Sequence, residues 1–144
     1  MASVIHIHNG DVVAQLAKRA DIPGDHVAFR ESLVTGRVTP GEDWIETRAK
    51  TLASAFGEDL LRVRTSLVEQ EQLLDDAASR DEVVLWFEHD LFCLSHLLYM
   101  LARLARAKLS LVWCPTPLGQ FDERELFLRF ESRGRPIPGP IRMH

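Results

Sequence analysis

Residues 83–90, VVLWFEHD, decide the fold of this chain. The first five are a continuous apolar run, which is typical of a central strand in a parallel sheet because both faces of such a strand are covered. The polar residues after this run end the strand, and an apolar helical pattern follows from Asp90 to Ala107. We therefore predict a strand at 82–88 that leads directly into a helix buried on nearly all sides.

A second junction of the same kind lies near the N-terminus, at residues 6–11, HIHNGD. A short β-branched run from Val4 to His8 predicts the first strand, and Asn9-Gly10 ends it. Asp11 then has the position of a helix cap, followed by apolar residues at helical spacing. Both junctions therefore carry polar groups where open α/β sheets place their ligand crevice.

Strand and helix patterns alternate along the rest of the chain. Alternation of this kind implies parallel strands joined by right-handed crossovers. The predicted fold class is therefore α/β, a four-stranded parallel three-layer sheet that is Rossmann- or flavodoxin-like, with strand order 2-1-3-4. This domain covers residues 1–121, and residues 122–144 form a C-terminal helix and a Pro/Gly-rich tail. The remaining predicted strands are His26–Arg30 and Leu109–Cys114. Helices are predicted at 40–56, 59–79 and 122–130, the first of which starts in a capping box at Thr39–Glu42, with Pro40 at the first helical position, and ends before Gly57.

The bulk properties of the chain argue against several classes of protein. At 144 residues it is long enough for one domain with a sizeable core. Its formal net charge is -4 and it has no lysine-arginine block, which argues against a nucleic-acid partner. No apolar run approaches the ~18 residues of a membrane span, and no charged leader precedes the first strand. Two cysteines without a disulfide framework fit a reducing compartment, so we expect a cytoplasmic protein of bacterial type.

Three segments of the chain resemble a bacterial family: Asn9–Asp11, Arg30–Gly36 and Trp86–Cys93. In this order and spacing they are similar to the family catalogued as domain of unknown function 1835, over roughly residues 4 to 120. The resemblance implies an α/β fold that is often followed by a mostly helical second domain, and it implies no particular activity. The chain has Arg37 where the family commonly has proline, and it ends at His144, where the second domain would begin. If that domain completes the site, we expect the chain to be a fragment or to act as an oligomer.

Catalytic residues are predicted at the ends of strands one and three. In strand order 2-1-3-4 the winding direction reverses between these strands, so the two polar junctions face one another across the switch-point crevice. We predict His89 as the favoured acid/base group, His8 as a second one, and Glu88 as the group that orients or tunes a histidine. The alternatives are that both histidines are hydrogen-bonded structural residues, or that they form an open metal site with a carboxylate. We assign no metal and no cofactor from the sequence.

Ligand-binding residues are predicted at the same strand ends. Gly10 would let the backbone approach an anion, while Asp11 and Asp90 would hold hydroxyls or a cation. The two aspartates have an alternative role as helix N-caps, and the two roles are compatible. Further predicted ligand-binding residues are Asn9 at the first junction and Glu31 and Ser32 at the rim beyond strand two.

Other polar and aromatic residues near these junctions are interpreted as core. His89, Cys93 and His96 share one helix face, but Met100 extends that face, so packing is favoured over a metal stripe. His6 lies inside the first strand and is interpreted as a satisfied core histidine. The tryptophans are interpreted as core residues rather than as stacking platforms for a ring.

The motifs of the commonest α/β chemistries are absent from the sequence. There is no GxxxxGK[ST] loop, no GxGxxG after the first strand, no GxSxG elbow and no CxxC pair. Two functions remain open. One is a binding protein, or an enzyme, for a phosphorylated or nucleotide-like small molecule at the crevice between strands one and three. The other is a non-catalytic regulatory or protein-interaction module, for which the proline-rich tail suits a docking segment.

The region after Cys114 is predicted to mediate assembly. Its apolar side chains lie next to a Pro/Gly-rich tail that cannot form a core of its own, and exposed apolar patches usually mark contact surfaces. A two-fold dimer is the commonest closed assembly, so we expect a homodimer. The apolar residues concerned are Leu126, Phe127, Phe130, Ile137 and Ile141.

Overall fold

The computed structural model of the chain describes residues 3–31 and 43–134. Within these ranges it confirms the α/β fold and its alternation of strands and helices. The elements are β1 Val4–His8, α1 Asp11–Arg19, β2 Asp25–Ala28, α2 Trp44–Phe56, α3 Leu60–Ala77, β3 Glu82–Glu88, α4 Leu91–Arg103, β4 Leu109–Cys114, a short 3₁₀ helix Leu118–Gln120 and α5 Glu123–Glu131.

The sheet has the predicted order β2-β1-β3-β4, and its neighbouring strands are all parallel. β1 pairs with β2 on one side and with β3 on the other, and His8 at its end is level with Trp86. The chain therefore leaves β1 in one direction and returns past it to reach β3. This reversal brings the carboxyl ends of β1 and β3 together, as the switch-point rule requires.

Helices cover both faces of the sheet, which explains why β3 is apolar from Val83 to Phe87. α3 and α4 pack on one face, and α1 and α5 pack on the other. Residues 83–87 are buried because alternate side chains of a strand point to opposite faces and both faces are covered. α2 lies against α3, and Gly57 ends α2 in the left-handed conformation with a φ of 65°.

Two helix starts differ from each other in their capping. Asp90 caps α4 through a hydrogen bond from the Cys93 backbone N–H at 2.7 Å, so the N-cap interpretation of Asp90 is confirmed. The cap predicted at Asp11 is wrong. Gly10 takes the N-cap position, and the Asp11 carboxylate lies one residue inside the helix and binds Arg30 instead. The capping box predicted at Thr39–Glu42 lies outside the described residues.

Two boundaries and one burial prediction are also corrected. β2 ends at Ala28, before the predicted Arg30, and α4 ends at Arg103, before the predicted Ala107. α4 is not buried on nearly all sides, because Leu91 and Leu98 are 73% and 60% exposed. An apolar pattern shows which side chains favour burial, but in the described part of the chain the contacts of α4 with α2 and α3 are made from the flank that carries Tyr99 and Arg103. None of the helices in the described ranges is long and apolar enough to cross a membrane.

Candidate functional site

The candidate site lies at the carboxyl edge of the sheet, where β1 and β3 end and where α1 and α4 begin. Asn9 and Gly10 form the turn after β1, and His89 and Asp90 form the turn after β3, which ends at Glu88. Gly10 has a φ of 112°, a conformation that side chains disfavour, and a Cβ at this position would meet no atom within 4 Å. The space beside the Gly10 backbone is therefore open, and its role in ligand binding stays a prediction.

A polar network joins the end of β1 to α4. The Asn9 side chain donates from Nδ2 to Cys93 Sγ at 2.8 Å, and its Oδ1 accepts from His96 Nδ1 at 2.7 Å. This arrangement places the His96 proton on Nδ1. Cys93 and His96 are buried and hydrogen-bonded to Asn9, so their interpretation as simple packing residues is incomplete.

The charges of this network follow from its burial. Burial lowers the pKa of His96 from 6.5 to about 4, so the imidazole is neutral at pH 7. Burial also raises the pKa of the Cys93 thiol, partly opposed by the hydrogen bond from Asn9, so Cys93 is a thiol at neutral pH. The network therefore holds α4 against β1 through neutral groups, and Cys93 lacks the lowered pKa of a nucleophilic cysteine.

Three groups near the α4 start have the chemistry of metal ligands. Within the described ranges, ligand atoms of Glu88, Asp90 and Cys93 lie within 4.8 Å of one another. Each carboxylate already accepts a backbone N–H, because Glu88 Oε1 binds Leu118 N at 2.9 Å and Asp90 binds Cys93 N. These bonds give both acids a structural role in the turns around the site.

His8 does not line the crevice. Its ring is fully buried on the α1 face of the sheet, where it contacts the rings of His6, His26 and Trp86. Burial, with the nearby histidines, lowers the pKa of His8 well below 6.5. A buried neutral imidazole has no access to a ligand at the strand ends, so the structure favours the alternative of a structural histidine.

The proton positions in this histidine cluster follow from its carbonyl partners. His26 Nε2 donates to the Ile22 carbonyl at 2.8 Å, so its Nδ1 accepts from His8 Nε2 at 3.0 Å. His8 Nδ1 is buried and has no hydrogen-bond partner among the described residues. His6 Nε2 likewise donates to a carbonyl and its Nδ1 accepts from Trp86 Nε1, which confirms it as a satisfied core histidine.

His89 and Glu88 have different environments, although they are adjacent in sequence. His89 is exposed, and its ring lies 4.5 Å from that of Trp113. Glu88 is half-buried, and its hydrogen bond goes to the backbone of Leu118 rather than to a histidine. Of the three predicted catalytic residues, only His89 has a side chain that solvent reaches freely.

Asp11 and Glu31 each pair with an arginine. Asp11 is exposed and binds Arg30 through two bonds, one of them 3.0 Å from Nε, and this pairing lowers the pKa of Asp11. Glu31 is buried and binds the fully buried Arg48 of α2 at 2.6 Å. The predicted rim at Glu31 is therefore held by an arginine that the sequence reasoning missed, while Ser32 lies outside the described residues.

A cavity of about 870 Å³ lies beside the network, between the end of β2, the α2–α3 pair and the start of α4. Phe92 lines it and also contacts His96, with ring centroids 4.6 Å apart, so the cavity adjoins the Asn9 network. The sequence does not single out the part of the cavity wall that α2 and α3 form, because both helices have ordinary amphipathic patterns. The lining residues are apolar (Leu52, Phe56, Val63, Leu67, Phe92), polar or glycine (Ser66, Gly57) and charged (Arg30, Glu31, Glu58, Asp59, Arg62).

Comparison with protein-family models and with curated proteins identified no relative of this chain. No protein-family model matches the chain, and no curated protein matches it. The resemblance in the segments Asn9–Asp11, Arg30–Gly36 and Trp86–Cys93 therefore stays a prediction. What the structure establishes is a parallel α/β domain with an architecture compatible with ligand binding.

Proposed function

We propose that this protein binds a phosphorylated or nucleotide-like small molecule at the carboxyl edge of its sheet. The observation that carries the proposal is the 870 Å³ cavity, which adjoins the Asn9 turn through Phe92 and His96. Its wall holds two arginines and three carboxylates, of which Glu31 is paired with Arg48 and Asp59 caps α3. Ligand pockets of this size usually combine an apolar lining with a few charged groups. The proposed site therefore extends from the β1–β3 crevice toward β2 and α3.

Arg62 is the group best placed to bind an anion. It lines the cavity in the first turn of α3, and none of the described residues pairs with it. An arginine is unfavourable beside the positive end of a helix dipole, whereas an anion there is favourable. A phosphate group in the cavity would pair with the arginine, while the Asp59 carboxylate already caps the helix start by accepting the Leu61 N–H. Arg30 is a second candidate, although it is shared with Asp11.

The aromatic side of the cavity suits the rest of such a ligand. Phe56 and Phe92 are 56% and 40% exposed, which is unusual for large apolar side chains unless they form a contact surface. Phenylalanine rings bind other rings by offset stacking. A base or another ring joined to phosphate would therefore match both walls.

His89 remains the candidate acid/base group, because it follows β3 directly and is the one predicted catalytic side chain that solvent reaches freely. His8 has no such role, since its ring is buried beneath α1. The function we propose is therefore binding.

The test is calorimetric titration with inorganic phosphate, AMP and ATP as probes. Replacing Arg62 with alanine should weaken the binding of AMP about tenfold or more, since a charge-assisted hydrogen bond is worth ~1.5 to 3 kcal/mol. Arg64→Ala is the matched control, because Arg64 is exposed on the same helix but pairs with Glu46 outside the cavity. If none of the three probes binds, or if both variants weaken binding equally, the proposal is wrong.

A second candidate function, a non-catalytic interaction module, is favoured by a different observation. The outer flank of α4 exposes several leucines, of which Leu91 is 73% exposed. A module of this kind would show no response to the phosphate-bearing probes.

A further inference from the structure

The exposed flank of α4 carries a regular leucine stripe. Leu91, Leu94, Leu98 and Leu101 follow one another at spacings of three, four and three residues. Leu94 and Leu98 are 40% and 60% exposed, and Leu101 is half-buried. This alternation of three and four residues is the spacing with which one helix packs lengthwise against another. The stripe therefore has the form of a helix-pairing surface.

The other sides of α4 are already occupied. Its inner face packs on the sheet, and its opposite flank contacts α3, where Tyr99 and Arg103 both bind Glu71. The leucine stripe instead faces the β4 side. There Leu101 and residues 109–113 of β4 line a second cavity of about 500 Å³. Among the described residues, this cavity lies between Leu101 and β4 beside the stripe, and Arg129 and residues 132–134 also line it.

The two ends of α4 carry opposite charges. Asp90 is exposed at the N-terminal end, and Arg106 and Lys108 are exposed just beyond the C-terminal end. Neither cation has an ion-pair partner among the described residues. A copy of α4 that packs in the antiparallel direction would place its acid beside these cations, and its helix dipole would oppose the first one. The surface is therefore complementary to itself.

We propose that this flank of α4 binds α4 of a second copy of the chain, antiparallel, with the two-fold axis beside Leu98. Self-complementary surfaces of this kind form closed two-fold dimers. The surface differs from the one predicted after Cys114. In that region Leu126 is fully buried and Phe130 is half-buried, so part of the apolar set already belongs to the core.

Sedimentation velocity at micromolar concentrations tests the surface. The unaltered chain should sediment as a dimer, and Leu98→Glu should sediment as a monomer at the same concentration. Leu61→Glu is the matched control, because Leu61 is 68% exposed on α3 and lies off the stripe, so this variant should remain a dimer. Far-UV circular dichroism shows that each variant is folded. A monomeric unaltered chain, or a dimer that Leu98→Glu does not dissociate, would overturn the proposal.

Cross-linking tests the antiparallel direction. Leu98→Cys places the new thiols near the axis, so mild oxidation should give a disulfide-linked dimer. The two copies of Leu91→Cys would be separated by ~21 Å along the helices, from a rise of 1.5 Å per residue, and should not cross-link. The native cysteines are buried, and the unaltered chain measures their background. Equal cross-linking at both positions would show that the helices are parallel, contrary to the proposal.

Discussion

Acidification below pH 6.5 is expected to destabilise the protein steeply, because the fold buries neutral histidines. The pKa of His6 and that of His96 both fall from 6.5 to about 4 on burial, and the pKa values of His8 and His26 are lowered in the same direction. In the unfolded chain each of these imidazoles binds a proton near pH 6.5. Unfolding therefore takes up protons between pH 6.5 and pH 4.

The magnitude follows from His6 and His96 alone. Stability is fully present above pH 6.5 and is lost as the pH falls toward 4, because the unfolded state binds more protons in that interval. At ~1.4 kcal/mol for each pKa unit, each of the two histidines removes about 3 kcal/mol by pH 4. Near pH 5 the two together give a slope of ~2.4 kcal/mol per pH unit, against a typical total stability of ~5 to 15 kcal/mol.

Urea unfolding at pH 7, 6 and 5 measures this slope. His96→Gln should lower the number of protons taken up on unfolding by about one, and so lower the slope by ~1.4 kcal/mol per pH unit. The glutamine amide can still donate a hydrogen bond to Asn9, but it does not titrate. His89→Gln is the matched control, because it makes the same replacement at an exposed histidine, where no burial desolvates the ring. Equal free energies of unfolding at pH 7 and pH 5 would refute the reasoning, as would an equal effect of the two variants.

Other variants test the site residues separately. Asn9→Ala should lower the free energy of unfolding by ~1 to 3 kcal/mol in urea titrations at pH 7, because it leaves a buried imidazole N–H without its acceptor. Arg48→Met should cost ~3 to 5 kcal/mol, since it removes the guanidinium that faces the buried Glu31; a cost below ~1 kcal/mol would show that the pair is unimportant. His89→Ala should change stability by less than ~0.5 kcal/mol and weaken ligand binding, and a loss of ~3 kcal/mol would make His89 structural. Cys93 should react with a thiol reagent in native buffer far more slowly than in urea, and equal rates would contradict its burial.

Local patterns were sufficient to predict the architecture. The apolar run at 83–87 predicted a strand covered on both faces, and its alternation with helical patterns predicted the parallel order 2-1-3-4. These predictions succeed because hydrophobic periodicity and the handedness of crossovers act over short stretches of chain. The same reasoning located the turns at Asn9-Gly10 and His89-Asp90 at adjacent strand ends. It also identified His6 as a core histidine.

The partners within the site were decided by the tertiary structure. The sequence predicts that His8 ends the first strand, but it does not predict on which face of the sheet the His8 ring lies. Whether its ring faces a crevice or the underside of α1 depends on how that helix and His26 pack. The Asn9 side chain is hydrogen-bonded to Cys93 and His96, which lie 84 and 87 residues further along the chain. No local sequence pattern predicts contacts between residues so far apart. Burial then sets the charge of each imidazole, because desolvation of the charged form depends on every neighbouring element rather than on the residue itself.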